Sequence, residues 1–250
     1  MSGSVRAYKT RAIVLRARNL GEADKIFTLF TDARGKIDAV GKGVRRAKSQ
    51  LAGKLEFMSE AVLTMHRGRS LDIVTSAEIE RAHWVEIVEP GRFVTAHLIA
   101  ELVDAFCEID FAMPEIYLML RGVLRAISAS EDPASFVPRF QLRLLGALGL
   151  APTAGTCVRC DIRLSGLEAW ADIEAGGLAC SRCRPHRADA FALTPEDVRN
   201  FRGLAAGAGE EIPAIMQATP AASRAVDAFL HWHLGKRPKS SKLLDDLAHA

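Results

Sequence analysis

Short apolar runs separated by turn residues fill the first eighty positions, and apolar spacings of three and four fill most of the rest. Ala12–Leu15 is the first run, and Ile26–Thr31 follows, rich in β-branched and aromatic residues. The turn sequence Asp32-Ala33-Arg34-Gly35 leads into Ile37–Val40. Strand signals resume at Phe57–Met65 and Leu71–Ala77, with Arg67-Gly68-Arg69 as the turn between them. Five short strands with no intervening helix predict a small barrel or sandwich.

The period changes near Trp84. Phe93, His97, Ile99-Ala100, Val103 and Phe106 fit one face of a helix that starts at Pro90. Pro114 opens a second helix through Ile127, and a third runs from about Pro133 to Leu148, stopping near Gly149. Thr194-Pro195-Glu196-Asp197 is a helix start, with Thr as cap, Pro in the first position and acids in the first turn. Helical spacing continues through Val226–His233 and Lys242–Leu247. The expected class is therefore α+β: an N-terminal β domain over residues 1–82, then a helical domain over 83–250 carrying a cysteine insert at 155–187.

Composition adds little until it is divided. Of 250 residues, 49% are hydrophobic and 25% charged, as in ordinary soluble proteins, and no stretch approaches the ~20 apolar residues of a membrane span. No apolar leader precedes Arg18, so the expected compartment is the cytoplasm. Residues 1–80 hold 15 Lys and Arg against 9 Asp and Glu, while the remainder holds 18 against 21. The working surface implied by that asymmetry is basic and lies at the front of the chain.

Two Cys-x-x-Cys pairs stand nineteen residues apart: Cys157 and Cys160, then Cys180 and Cys183. Each pair lets two thiolates approach one ion from a tight turn, and the loop between brings the second pair opposite the first. Gly176-Gly177 permits the hairpin that turns the chain back, and Arg159, Arg163, Arg182 and Arg184 stand ready to offset thiolate charge. Disulfides do not suit a reducing compartment. The expected occupant is one structural zinc ion, an iron–sulfur cluster being the other guest of such a set. With four thiolates bound no position is left for water, which argues for a staple and against a catalytic metal. Cys107, on a helix face, reads as a small buried hydrophobe.

The stretch Arg34 to Lys54 carries Arg34, Lys36, Lys42, Arg45, Arg46, Lys48 and Lys54, opposed only by Asp38 and punctuated by four glycines. Dense cations on a Gly-rich backbone suit phosphate oxygens, which impose charge but little sequence. Arg67 and Arg69, in a neighbouring turn, extend the set. The alternative is a solvated, mobile surface loop. Only Tyr8, Phe27, Phe30 and Phe57 are aromatic in the first eighty residues, so contacts to the nucleic-acid backbone are expected, not base stacking.

Enzyme motifs are missing. Gly-Lys at 35, 41, 53 and 235 is followed by Ile, Gly, Leu and Arg, so no phosphate-binding loop of the ATPase kind is present. His83-Trp84-Val85-Glu86 lacks the second His of a zinc protease, and Gly-x-Ser-x-Gly is absent. His231 and His233 flank Trp232 and are expected on a helix surface. No small-molecule substrate and no catalytic residue is expected.

Taken together, the segments resemble the bacterial RecO family of recombination mediators. The resemblance is carried by Ala12–Leu15, Gly21-Glu22-Ala23-Asp24-Lys25-Ile26, Thr31 with Gly35-Lys36, and the basic run Gly41–Ser49. Leu144-Leu145 and Gly149-Leu150 before the first cysteine pair, Gly176-Gly177 before the second, and the tail Lys239–Leu244 add to it. It implies an OB-fold barrel that binds single- and double-stranded DNA and anneals complementary strands. It also implies action with RecR, in some settings RecF, on strands coated by single-stranded-DNA-binding protein, so that RecA is loaded in the bacterial nucleoid. No nucleotide hydrolysis is implied. A contrasting reading, drawn from the insert alone, is a zinc-containing adaptor that docks repair or transcription proteins without annealing activity.

Overall fold

The computed structural model describes residues 7–187, 190–205 and 217–248. Five strands, β1 (Ala7–Leu20), β2 (Asp24–Thr31), β3 (Gly35–Gly41), β4 (Ser59–His66) and β5 (Asp72–Ala82), close into a barrel in the order β1-β2-β3-β5-β4. The pairings are antiparallel except β3 with β5, which is parallel. This is the OB-fold. β1 serves two neighbours: its first half pairs with β4 and its second with β2, and the register slips between Val14 and Arg16.

The unbroken apolar run Ala12–Leu15 has a physical reason. Alternate side chains of a strand point to opposite faces. Ala12 and Val14 lie in the barrel core with Phe27, Leu29, Ile37, Leu63 and Met65. Ile13 and Leu15 point the other way and are equally buried, because helices cover that side. These are α1 (His83–Glu86), α2 (Pro90–Phe106) and α3 (Pro114–Ala129), which lean on β4, β1 and β2 respectively. A wholly buried carboxylate, Glu60 of β4, is met by Arg121, by Arg125 at 3.8 Å and by His83 at 3.7 Å. Burial, then the nearby Arg81 charge, push the His83 imidazole down to about 4.

The chain packs as two compact units: residues 1–134 with 238–250, and residues 135–237. Packing therefore does not divide at 82/83, because the first helices are needed to bury the outer face of β1 and β2. The last helix, α7 (Lys239–Ala248), joins the first unit. Glu101 of α2 accepts from the N–H groups of Lys239 and Ser240 at 2.8 and 3.0 Å, capping α7 from 138 residues away. Those N–H groups outweigh burial and hold the Glu101 carboxyl below its usual range.

The second unit holds α4 (Val137–Ala147), α5 (Pro195–Ala205) and α6 (Pro220–Leu234) around a common core, with α4 against both others. Thr194 caps α5 reciprocally with Asp197, as its sequence signature predicts. A small sheet of β6 (Ala169–Asp172), β7 (Gly177–Cys180) and β8 (Ala192–Leu193) carries the insert.

Candidate nucleic-acid interface and metal centre

The basic loop joins β3 to β4 and is not a loose excursion. Val44, Leu51 and Leu55 are buried and belong to the barrel core. Gly43 donates its N–H to Asp24 Oδ1 at 2.7 Å, and Arg45 donates its N–H to the Ala23 carbonyl at 3.0 Å. The Arg45 guanidinium also reaches the Gly21 carbonyl at 3.0 Å. The loop is thus pinned by apolar anchors at its base and by hydrogen bonds to the β1–β2 turn. Between the anchors Lys42, Arg45, Arg46 and Lys48 are exposed, and Lys54 is half-buried. Cations on a pinned backbone lose less conformational entropy when a phosphate engages them.

Arg34 and Lys36, expected in the same set, have other partners. Arg34 bridges Asp72 at 2.7 Å and Asp110 at 2.6 Å and donates to the Tyr8 hydroxyl at 2.7 Å. Lys36 pairs with Asp104 at 3.2 Å, also meets its main-chain carbonyl, and is only 12% exposed. The cause is the segment after α2, which runs beside β3: Asp110 donates its N–H to the Lys36 carbonyl at 2.7 Å. Its approach demands glycine at 35, where φ is +65° and a Cβ would stand 1.9 Å from the Phe111 carbonyl oxygen. Burial, reinforced by the Asp72 carboxylate, pushes the Tyr8 phenol up to about 12. Arg67 is exposed, its guanidinium 5.7 Å from the centre of the Tyr8 ring, and Arg69 is exposed beside it.

The four cysteines meet. Their sulfurs all lie within 4.8 Å of one another, and Cys160 Sγ and Cys180 Sγ are 3.8 Å apart. A tetrahedron of Zn–S bonds of about 2.3 Å places its sulfurs about 3.8 Å apart, so the donor set fits that ion. The first pair sits on a knuckle: Cys157 N–H donates to the Ile162 carbonyl and Asp161 N–H to the Cys157 carbonyl, at 2.7 and 2.9 Å. The second pair leaves β7 in a short 3-10 turn, Ser181–Cys183. Gly176 takes φ +71°, and a Cβ at Gly177 would meet the Thr153 carbonyl oxygen at 2.6 Å, so both glycines of the hairpin are required.

Cys180 N–H points at Cys157 Sγ at 3.3 Å. Burial works to raise the Cys157 thiol, but this and neighbouring N–H groups outweigh it and hold it at about 6. Cys183, sharing a proton with Cys160, is pushed up to about 12. Four sulfurs this close do not all ionise without a cation among them, which is the electrostatic reason the cluster suits a metal. Arg159 is held at 2.5 Å by buried Asp172 on β6, while Arg163, Arg182 and Arg184 are exposed. Cys107 is buried, and burial pushes its thiol up to about 11, as a packing role requires.

Two aromatic features escaped the sequence. Phe57, just after the basic loop, stacks on His97 of α2 at 3.9 Å, and Phe93 adjoins His97 at 4.2 Å. On α6, Trp232 and His233 lie at the surface as expected, but His231 is half-buried with Nε2 shielded from solvent. Helical spacing flags Phe93 and His97 as one face, yet nothing local says that Phe57 will meet them.

Among the described residues no helix is long and apolar enough to cross a membrane. Family models described as recombination protein O, N terminal and C terminal, match residues 4–83 and 89–242. A DNA repair protein RecO from a Nocardioides species is 35% identical over 238 residues, covering 93% of this chain and 97% of that protein. DNA repair protein RecO of Thermobifida fusca is 31% identical over 242 residues, covering 95% and 98%.

Proposed function

The chain belongs to the recombination protein O family, and from that premise we propose that it is a DNA-binding recombination mediator in DNA repair. The pinned basic loop carries this reading. Lys42, Arg45, Arg46 and Lys48, with Lys54 and Arg67 at the margins, take phosphates of single- and double-stranded DNA. Arg34 and Lys36 shape the surface from within. Neutralised phosphates on two strands repel less, base edges stay free, and pairing energy drives annealing. The chain does this without catalysing a covalent step. With RecR, and in some settings RecF, it acts on DNA coated by single-stranded-DNA-binding protein and helps load RecA, in the bacterial cytoplasm at the nucleoid. One zinc ion held by Cys157, Cys160, Cys180 and Cys183 supplies structure only: these thiolates fold the insert around it.

The test is Arg45→Glu with Arg46→Glu, read by DNA affinity over a salt series. Affinity should fall, and the slope of log affinity against log salt should flatten by about 0.9 for each lost duplex phosphate contact. The melting temperature should hold, since both side chains are exposed. Unchanged affinity and slope would remove the loop from the mechanism.

A further inference from the structure

We infer that the cleft between the cysteine insert and α6 is a pocket for a base of single-stranded nucleic acid. The inference rests on the DNA-binding reading and adds a second contact point, in the other compact unit. The cleft has a volume of about 320 Å³ and is lined by Ile173, Pro185, Phe191, Ala228, His231 and Trp232. That size is at the small end of ligand pockets, and the lining is mostly flat or apolar. Trp232 is 53% exposed, a large ring left in water beside a cavity. Phe191 is held in place by the Arg224 guanidinium, 4.1 Å from its ring centre.

Three features select a nucleobase over an apolar peptide side chain. Every base presents a π-face to an indole or phenyl ring. His231 Nε2, shielded and without a hydrogen-bond partner, offers one polar contact. A base edge satisfies it, whereas an apolar side chain leaves it unmet at a desolvation cost. Burial also lowers the His231 pKa, favouring the neutral ring, which both donates and accepts. Finally, the surroundings suit a phosphate chain. The carboxylates in the wall, Asp172 and Glu174, are paired with Arg159 and Arg187. Arg184 and His186 flank Pro185 in the chain, His233 and Lys236 follow Trp232, and all four are exposed.

An annealing protein must hold two strands. The basic loop belongs to the first unit and this pocket to the second, so each unit engages a strand in its own way, one by phosphate and one by stacking.

The experiment uses the full chain. It holds three tryptophans, so Trp84→Phe with Trp170→Phe leaves Trp232 as the sole indole. Oligothymidine at low salt should quench it saturably. In the parent background, Trp232→Ala should weaken oligothymidine binding roughly tenfold, the scale of one lost stack, and Trp232→Phe should restore most of it. Duplex affinity should not change, because paired bases are not free to enter. Absence of quenching, or equal oligothymidine affinity for Trp232→Ala and parent, overturns the pocket. So does quenching by an acidic peptide ending in an aromatic residue with none by oligothymidine. A parent chain that binds no DNA overturns the mediator reading itself; one that binds DNA without regard to Trp232 overturns the pocket alone.

Discussion

The basic loop and the cysteine insert are both short excursions of irregular chain, and they are held by opposite means. The loop has no crosslink. It is fixed by burying Val44, Leu51 and Leu55 in the barrel core and by hydrogen bonds to the β1–β2 turn. The insert buries little of its own and converges on four sulfurs. A segment of cations gains from an apolar foundation, because the charges stay at the surface while the anchors do the ordering. A segment of small residues and glycines has no such foundation, and a metal supplies it. Rigidity at a surface is thus reached by burial in one place and by ligation in the other.

The largest expected effect tests the insert. Cys160→Ser, or a strong chelator, should release about one zinc per chain by elemental analysis and unfold the insert, since metal binding energy there is folding energy. Hydrogen exchange should rise across β6 and β7 while the barrel strands stay protected. Equal protection with and without metal would dissolve the contrast.

Next in size, Leu51→Ala should cost about 2–3 kcal/mol in denaturant unfolding of the first unit, near the lower end for a buried Leu. It should also weaken DNA binding without removing a charge, because the cations lose their footing. A variant that is destabilised yet binds DNA as the parent does would show that the anchors serve the barrel alone.

The smallest effect concerns α7. Glu101→Ala should cost about 1 kcal/mol, as loss of a helix cap does. The Glu101 carboxyl lies below its usual range in the fold. Its contribution is therefore present above the unfolded-state value and is lost as pH falls through the lower folded one. Parent and variant should converge in melting temperature under acid conditions, and a gap that persists there would remove the charge from the cap.

Much of this was legible locally. The strand runs, the Thr194 cap and the cysteine spacing are short-range features, and the structure places each near its expected position. The fates of Arg34 and Lys36 were not legible. Their partners Asp72, Asp110 and Asp104 lie 38, 76 and 68 residues away, and in sequence they look like their neighbours Lys42 and Arg45. The cap on α7 spans 138 residues, so nothing in Lys239–Ala248 reveals that it packs with the barrel unit. His231 is half-buried only because the insert folds against α6.

By itself the sequence determined the element types, the four-thiolate set and the cluster of cations, because each is written in residues close enough to act through one turn or one loop. Tertiary structure alone decided which cations stay at the surface, which helices belong with the barrel and where rings gather into a cleft. Those outcomes depend on burial and on charges brought together from distant parts of the chain, and a side chain's environment is set by whatever the fold places against it.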